Sequence, residues 1–255
     1  MALSGGAVRG AAHIGVLRVL EQAGLRPNLI AGTSIGAIIG AAYASGRSTH
    51  DLERLFSGLD WFSLVRPTLR LRKSLMDTRR MVKFLTGELR LSTFEALEIP
   101  FTAVACDLQS GESVRLNRGD LVQAVRASSA LPGIFPPEEI DGRMLVDGSV
   151  VQNLPVETVA EMGADLVIAV DLLPAGTGSR RPDNLLEIWH RSVYLMVRAN
   201  HPACGNACHT ITPPIAEFSF TDFSEVTELV RRGEQAARDA LPEILRDVES
   251  RDLSD

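Results

Sequence analysis

Nowhere does this chain carry some eighteen apolar residues in a row, about the length a membrane-spanning helix requires. Nor does it open on a charged stretch followed by an apolar block, so no secretory leader is read from it. Cysteine is scarce. Cys106, Cys204 and Cys208 are the three among 255 residues, too few and too odd in number for a disulfide framework, which points to a reducing compartment. Positive charge is in deficit, with 26 Lys and Arg against 32 Asp and Glu and a net charge of -6, which argues against nucleic acid as the principal partner. No internal repeat, low-complexity tract or Gly/Ser/Pro-rich linker divides the chain. The expectation is one domain over residues 1–255, cytoplasmic, with any membrane contact peripheral.

What is present is an ordinary globular composition, 45% hydrophobic and 23% charged. Strand-like and helix-like runs alternate along nearly its whole length, which predicts a three-layer α/β/α sandwich around a mostly parallel sheet.

The stretch from Leu29 to Gly40 turns from strand-like to helix-like at Ser34. Gly32-Thr33-Ser34-Ile35-Gly36 has the form Gly-x-Ser-x-Gly, in which flanking glycines let a strand turn sharply into a helix and present the serine hydroxyl at the apex. Such a nucleophile needs a base and a donor site for an oxyanion. An earlier run, Gly5-Gly6-Ala7-Val8-Arg9-Gly10, follows a short strand ending at Leu3 and Ser4, and its backbone N–H groups, with the start of the next helix, make an anion site. It lacks the Gly-Lys-Ser/Thr ending of a nucleotide P-loop and the Gly-x-Gly-x-x-Gly of a dinucleotide site, so an oxyanion suits it better than a phosphate. Arg9 reads as a structural clamp and His13 as a packed, hydrogen-bonded residue on a helix that stops at Gly24.

Ser48 to Asp51 reads as a helix N-cap. From Arg66 to Lys83 the chain turns basic: Arg66, Arg70, Arg72, Lys73, Arg79, Arg80 and Lys83 stand against Asp77 alone, interleaved with leucines and methionines. That mixture suits an anionic lipid surface and marks residues 60–85 as a lid or membrane-facing segment. Strands are expected at 99–105 and 113–116. A helix from 119 to 130 stops at a stiff apolar loop, Leu131 to Pro137, which would wall an acyl pocket or cover the sheet edge. Arg143 to Asp147 is a short strand ending in an acid beside Gly148, and a carboxylate so placed can reach a serine hydroxyl as a general base, the more so if burial raises its pKa. Asp141-Gly142 reads as a turn, and Asp171, closing the strand at 165–171, is the fallback acid. Pro155 opens a helix to Met162, and 185–199 forms another in which Trp189 and Tyr194 pack. His201, Cys204, Cys208 and His209 invite a zinc reading, but their spacing is not that of a structural site. Residues 221–247 finish as an amphipathic helix with a break or bend near Pro242.

Taken together and in order, Gly5 to Gly10, Gly32 to Gly36, Ala127-Ser128-Ser129-Ala130-Leu131-Pro132 with Phe135-Pro136, and Asp147-Gly148 resemble the bacterial patatin-like phospholipases from about Leu3 to Leu172. The resemblance implies a patatin-like fold and a lipid acyl hydrolase acting on a phospholipid or other acyl ester. Ser34 would be the nucleophile, Asp147 the base, and Gly5, Gly6 and Ala7 the oxyanion hole, supported by Arg9, Gly10, Gly32, Gly36 and Gly148, with no metal or cofactor required. Ala7 stands where a third glycine is usual, and Ser149 where glycine or alanine is. Three other readings remain: a Ser-His-Asp hydrolase using Asp147 or Asp171 with His190, His201 or His209, a catalytically silent lipid-binding or regulatory protein, and a phosphate-binding module using Gly5 to Gly10.

Overall fold

The computed structural model describes residues 1–58, 66–67, 76–88, 92–173, 181, 185–199, 208–220 and 222–252. Strand β1 (Ala2–Leu3) passes through a 3-10 turn (Ala7–Gly10) into α1 (Ala11–Gln22), and β2 (Ile30–Thr33) turns directly into α2 (Ile35–Ala44). Helix α3 (Thr49–Ser57) starts where Ser48 Oγ accepts the Asp51 N–H at 3.1 Å, the N-cap expected there. A two-stranded ribbon, β3 (Arg66–Pro67) and β4 (Met76–Asp77), precedes α4 (Arg79–Lys83). Then come β5 (Phe101–Asp107) and β6 (Ser113–Leu116), followed by α5 (Leu121–Ser128), capped by Asp120 Oδ1 on the Gln123 N–H at 2.9 Å. The chain continues through β7 (Glu138–Ile140), β8 (Arg143–Asp147), α6 (Val156–Glu161), β9 (Val167–Val170), α7 (Leu185–Ala199), β10 (Cys208–Ile211) and α8 (Val226–Asp252).

The main sheet runs β10-β9-β1-β2-β5-β8-β7, with β6 also on β5. It is parallel from β10 to β5, and antiparallel where β5 meets β6 and β8 and where β7 meets β8. The β7–β8 hairpin turns at Asp141 and Gly142, both at positive φ, as the Asp-Gly pair predicts. Side chains alternate along the strands and so divide between two cores. Leu3, Ile30 and Val170 pack with α1, α2 and α8 on one face, whereas Ala2, Ala31 and Ala169 pack with Leu154 and Val159 on the other. The result is the three-layer α/β/α sandwich, a mixed sheet with helices on both sides.

Helices α1 and α8 approach closely: a β-carbon at Gly15 would stand 2.0 Å from the Val230 carbonyl oxygen. Helix α8 runs through Pro242 without a break, so of the break or bend expected there the break does not occur. Ala237 and Ile244, fully buried on either side, hold both halves on the same core and compensate the missing N–H. Of the basic run, Arg70, Arg72 and Lys73 lie outside the described residues, as do 60–65. The described remainder is tied down, with Met81, Phe84 and Leu85 buried and Phe84 edge-on to Phe56 at 6.4 Å. The loop after α5 covers the core: Phe135 packs against it and the Ile134 carbonyl accepts the Met76 N–H at 3.0 Å. Tyr194 is buried against Phe220; the side chain of Trp189 lies outside the described residues. Among the described residues no helix is long and apolar enough to cross a membrane.

Candidate active site

Ser34 sits between β2 and α2 with φ 55° and ψ -122°, a conformation that costs a non-glycine residue on the order of 1–3 kcal/mol. Its neighbours make the turn possible by closeness. A β-carbon at Gly32 would lie 2.4 Å from the Gly36 oxygen, and one at Gly36 2.3 Å from the Leu3 oxygen. Two straps hold the elbow. The Ser34 N–H donates to Ser128 Oγ at 3.0 Å, and Ser128 Oγ donates onward to the Val104 carbonyl of β5 at 2.6 Å. Thr33 Oγ1 donates to the Gln152 carbonyl at 3.0 Å.

Asp147 ends β8, in register with Ala105 of β5, and is 1% exposed. Desolvation raises its carboxyl above the ordinary aspartate value; the hydrogen bond from Ser149 and the proximity of the Ser34 hydroxyl oppose the shift without cancelling it. The Ser149 N–H donates to Asp147 Oδ1 at 2.8 Å, and the Asp147 N–H donates to the Ala130 carbonyl at 3.0 Å. The chain after Asp147 dives close to β5, since a β-carbon at Gly148 would stand 2.2 Å from the Val104 oxygen. Serine and carboxylate are thus both built off one strand, β5.

The glycine loop after β1 lies beside the elbow. A β-carbon at Gly10 would strike Ile35 Cγ1 at 2.2 Å, and one at Gly5 would lie 3.2 Å from Ser34 Cβ. Its three N–H groups are not equivalent. The Gly5 N–H is spent on the Asn153 carbonyl at 3.2 Å, whereas those of Gly6 and Ala7 donate to nothing among the described residues. Ala7 holds φ 50°, in the region where the usual glycine would sit without strain. Arg9 is the clamp expected of it. Its Nε and Nη2 donate to the Phe218 carbonyl at 3.1 and 2.8 Å, Nη2 also donates to the Ala216 carbonyl at 3.0 Å, and the guanidinium lies 3.7 Å over the Phe220 ring. Burial lowers its pKa to about 10, which leaves it charged at neutral pH.

The remaining candidates are engaged elsewhere. His13 is fully buried, its Nε2 is 2.9 Å from the Ser4 carbonyl, and burial lowers its pKa to about 4, so it is a neutral packed residue. His209 Nε2 pairs with Asp247 at 2.9 Å on the edge strand, and Asp171 Oδ1 accepts the Leu173 N–H at 2.8 Å. His201, Cys204 and the side chain of His190 lie outside the described residues. Cys106 is a free, buried thiol. No cluster of three metal-ligating side chains occurs among the described residues. Local sequence reasoning passed over Ser128, Gln152 and Asn153. Ser128 lies in the Ala-Ser-Ser-Ala block, and Asn153 is marked only by the Leu154-Pro155 that follows it.

Comparison with known proteins adds to this geometry. The family pattern described as patatin-like phospholipase matches residues 1–160. An uncharacterized NTE family protein of Mycobacterium tuberculosis is 39% identical over 189 residues, covering 71% of this chain and 51% of that protein. Human patatin-like phospholipase domain-containing protein 6 is 35% identical over 182 residues, 68% of this chain and 13% of that protein. The chain therefore spans about half the length of the mycobacterial relatives and much less of the human one. Among solved structures, VipD from Legionella pneumophila superposes with a TM-score of 0.63 at 15% identity, over 94% of this chain and 66% of that one. ExoU of the Pseudomonas aeruginosa type III secretion system, in complex with SpcU, does so with 0.52 at 17% identity, over 93% and 51%. At that identity the two share the fold with this chain.

Proposed function

This chain belongs to the patatin-like phospholipase family, and from that premise we propose that it is a lipid acyl hydrolase working through a Ser34–Asp147 dyad and an acyl-serine intermediate. One observation carries the reading: a strained, glycine-flanked serine near a buried carboxyl that desolvation makes more basic. In the reaction Ser34 Oγ attacks the ester carbon while Asp147 takes the hydroxyl proton. The carbonyl π pair moves onto oxygen, where the Gly6 and Ala7 N–H groups and the positive end of α2 meet it. The C–O bond to the alcohol then breaks, and Asp147 returns the proton to the departing alkoxide. Water, deprotonated by the same carboxylate, adds to the acyl carbon; the bond to Ser34 Oγ then breaks, Asp147 returns the proton to that oxygen, and the acid leaves.

A serine-directed fluorophosphonate tests this directly. The parent protein is expected to be labelled, Ser34→Ala and Asp147→Asn not, and a variant lacking His190, His201 and His209 to be labelled like the parent. Labelling that needs a histidine would move the protein to the Ser-His-Asp hydrolases. Absence of labelling in folded parent protein would leave a silent lipid-binding role. The basic segment from Arg66 to Lys83 supports contact with an anionic membrane surface; equal retention on anionic and neutral vesicles at low salt would refute that contact.

A further inference from the structure

His13 and Ser4 are both fully buried, and the imidazole has no part in the reaction proposed above. His13 Nε2 lies 2.9 Å from the Ser4 carbonyl oxygen. A carbonyl oxygen only accepts, so Nε2 carries the proton. Nδ1 is then a bare acceptor, buried without a partner. A leucine on this apolar stretch of helix would leave no such orphan, so the imidazole calls for an explanation beyond packing. What Nε2–H holds supplies one. Ser4 is where β1 gives way to the glycine loop, and the bond ties it to the first turn of α1, clasping the loop at its two ends.

The peptide joining Ser4 to Gly5 is gripped on both sides: its carbonyl oxygen by His13 Nε2–H, its N–H by the Asn153 carbonyl at 3.2 Å. Ser4 is fixed toward β9 as well, where its N–H donates to the Val170 carbonyl at 3.2 Å and its Oγ accepts the Leu172 N–H at 2.9 Å. Past that peptide, Gly5 and Gly6 have no β-carbon to restrict a rotation, and they lead straight to the Gly6 and Ala7 N–H groups. The helix that bears His13 is a firm base. A β-carbon at Gly233 of α8 would stand 2.0 Å from the Ala12 carbonyl oxygen, so the two helices meet backbone to backbone.

We propose that His13 is a positioning residue for the oxyanion site: through the Ser4 carbonyl, its Nε2–H fixes the peptide ahead of Gly5 and with it the aim of the Gly6 and Ala7 N–H groups. It acts through the backbone and not on the ester. Donors held in place beforehand stabilise the oxyanion without reorganising and do little for the neutral carbonyl, so the effect falls on kcat. Donors displaced by about 1 Å lose about 10²-fold. The proposal rests on the serine-hydrolase reading above.

The test compares the parent with His13→Leu, His13→Met, His13→Gln and Leu17→Ala. Each is measured for hydrolysis of a soluble aryl ester, for affinity to an aryl boronic acid, which forms a tetrahedral anion on serine, and for melting temperature. Leucine and methionine fill the site without a donor, and glutamine returns a carboxamide N–H at a similar reach. Leu17→Ala deletes a fully buried side chain of the same helix and removes no hydrogen bond. His13→Leu and His13→Met are expected to lose about 10–10²-fold in kcat, with KM changed only a few-fold and boronate affinity lost in step. His13→Gln should stay within a few-fold of the parent. Leu17→Ala should melt lower while its folded fraction keeps the parent's kcat and boronate affinity. The proposal is overturned if the apolar variants keep both, if glutamine falls as far as leucine, or if Leu17→Ala loses as much as His13→Leu. Failure of both apolar variants to fold overturns it too, since the histidine would then hold the core and not the donors. A parent that neither hydrolyses the ester nor takes the fluorophosphonate label overturns the underlying reading and the positioning role with it, whereas an active parent beside equally active apolar variants removes the positioning role alone.

Discussion

Replacing Ser128 by alanine isolates how the elbow is held. Its hydroxyl is completely buried, accepts the Ser34 N–H at 3.0 Å and donates to the Val104 carbonyl at 2.6 Å, and the substitution leaves both of those groups without a partner. Each orphaned buried group costs about 1–3 kcal/mol. Part of that is regained, because Ser34 no longer needs to hold φ at 55° once its N–H is free to turn. A net loss of about 2–4 kcal/mol is expected, read from urea unfolding at neutral pH. Relaxation of the elbow moves the Ser34 hydroxyl away from Asp147, so kcat should also fall, by about 10–10²-fold, while KM changes little. Stability within about 0.5 kcal/mol of the parent, together with an unchanged kcat, would show that the glycines alone make the turn and that Ser128 does not hold it.

Asp147 gives paired predictions. Its carboxyl titrates above the ordinary aspartate value in the folded protein because it is desolvated, so the native state holds that proton more tightly than the unfolded chain. Stability from this group is full below the unfolded carboxylate pKa and is lost as pH rises through the raised one. Asp147→Asn should therefore melt higher than the parent at neutral pH, with the advantage shrinking in acid; a lower melting temperature at pH 7 would contradict the desolvation argument. If the same carboxylate is the base, kcat/KM rises with pH across its raised pKa, and a profile flat down to the ordinary aspartate range would exclude it as the titrating group.

The parts of the site that sequence made visible are those whose physical cause is local. Gly32 and Gly36 leave a trace because a side chain at either would collide with backbone only a turn or a neighbouring strand away. Asp147 is less legible: its place at a strand end beside Gly148 makes it the first candidate, but the residues themselves leave Asp171 as a fallback, and the order of blocks shared with the patatin-like proteins adds to the case for Asp147. What places it is the antiparallel register of β8 on β5, a long-range pairing with no local signature. Arg9 shows the same division: its clamping role is read from a turn beside an arginine, but its acceptors on Ala216 and Phe218 come from the far end of the chain. Pro242 is the reverse case, where the break that a local rule allows does not occur and Ala237 and Ile244 are buried on either side of the proline. The unequal fates of the Gly5, Gly6 and Ala7 N–H groups depend on Asn153, and no property of the glycine run announces that.

Two groups at this site are individually unfavourable in the resting protein: Ser34 at positive φ and Asp147 as a desolvated carboxyl. Each would turn favourable at one moment of the proposed acyl transfer. A serine raised on a strained turn is open to attack an ester, and a desolvated carboxyl takes a proton more readily. The surrounding structure makes this sustainable, because each anchor runs to a buried element: Ser34 through Ser128 to β5, Asp147 through its pairing with β5. The core packed on α1, α2 and α8 therefore does more than fold the chain. Its stability offsets the strain and the buried carboxyl that the proposed chemistry would use, so relieving the buried charge should stabilise the fold while slowing turnover. Loosening an anchor such as Ser128 should weaken both.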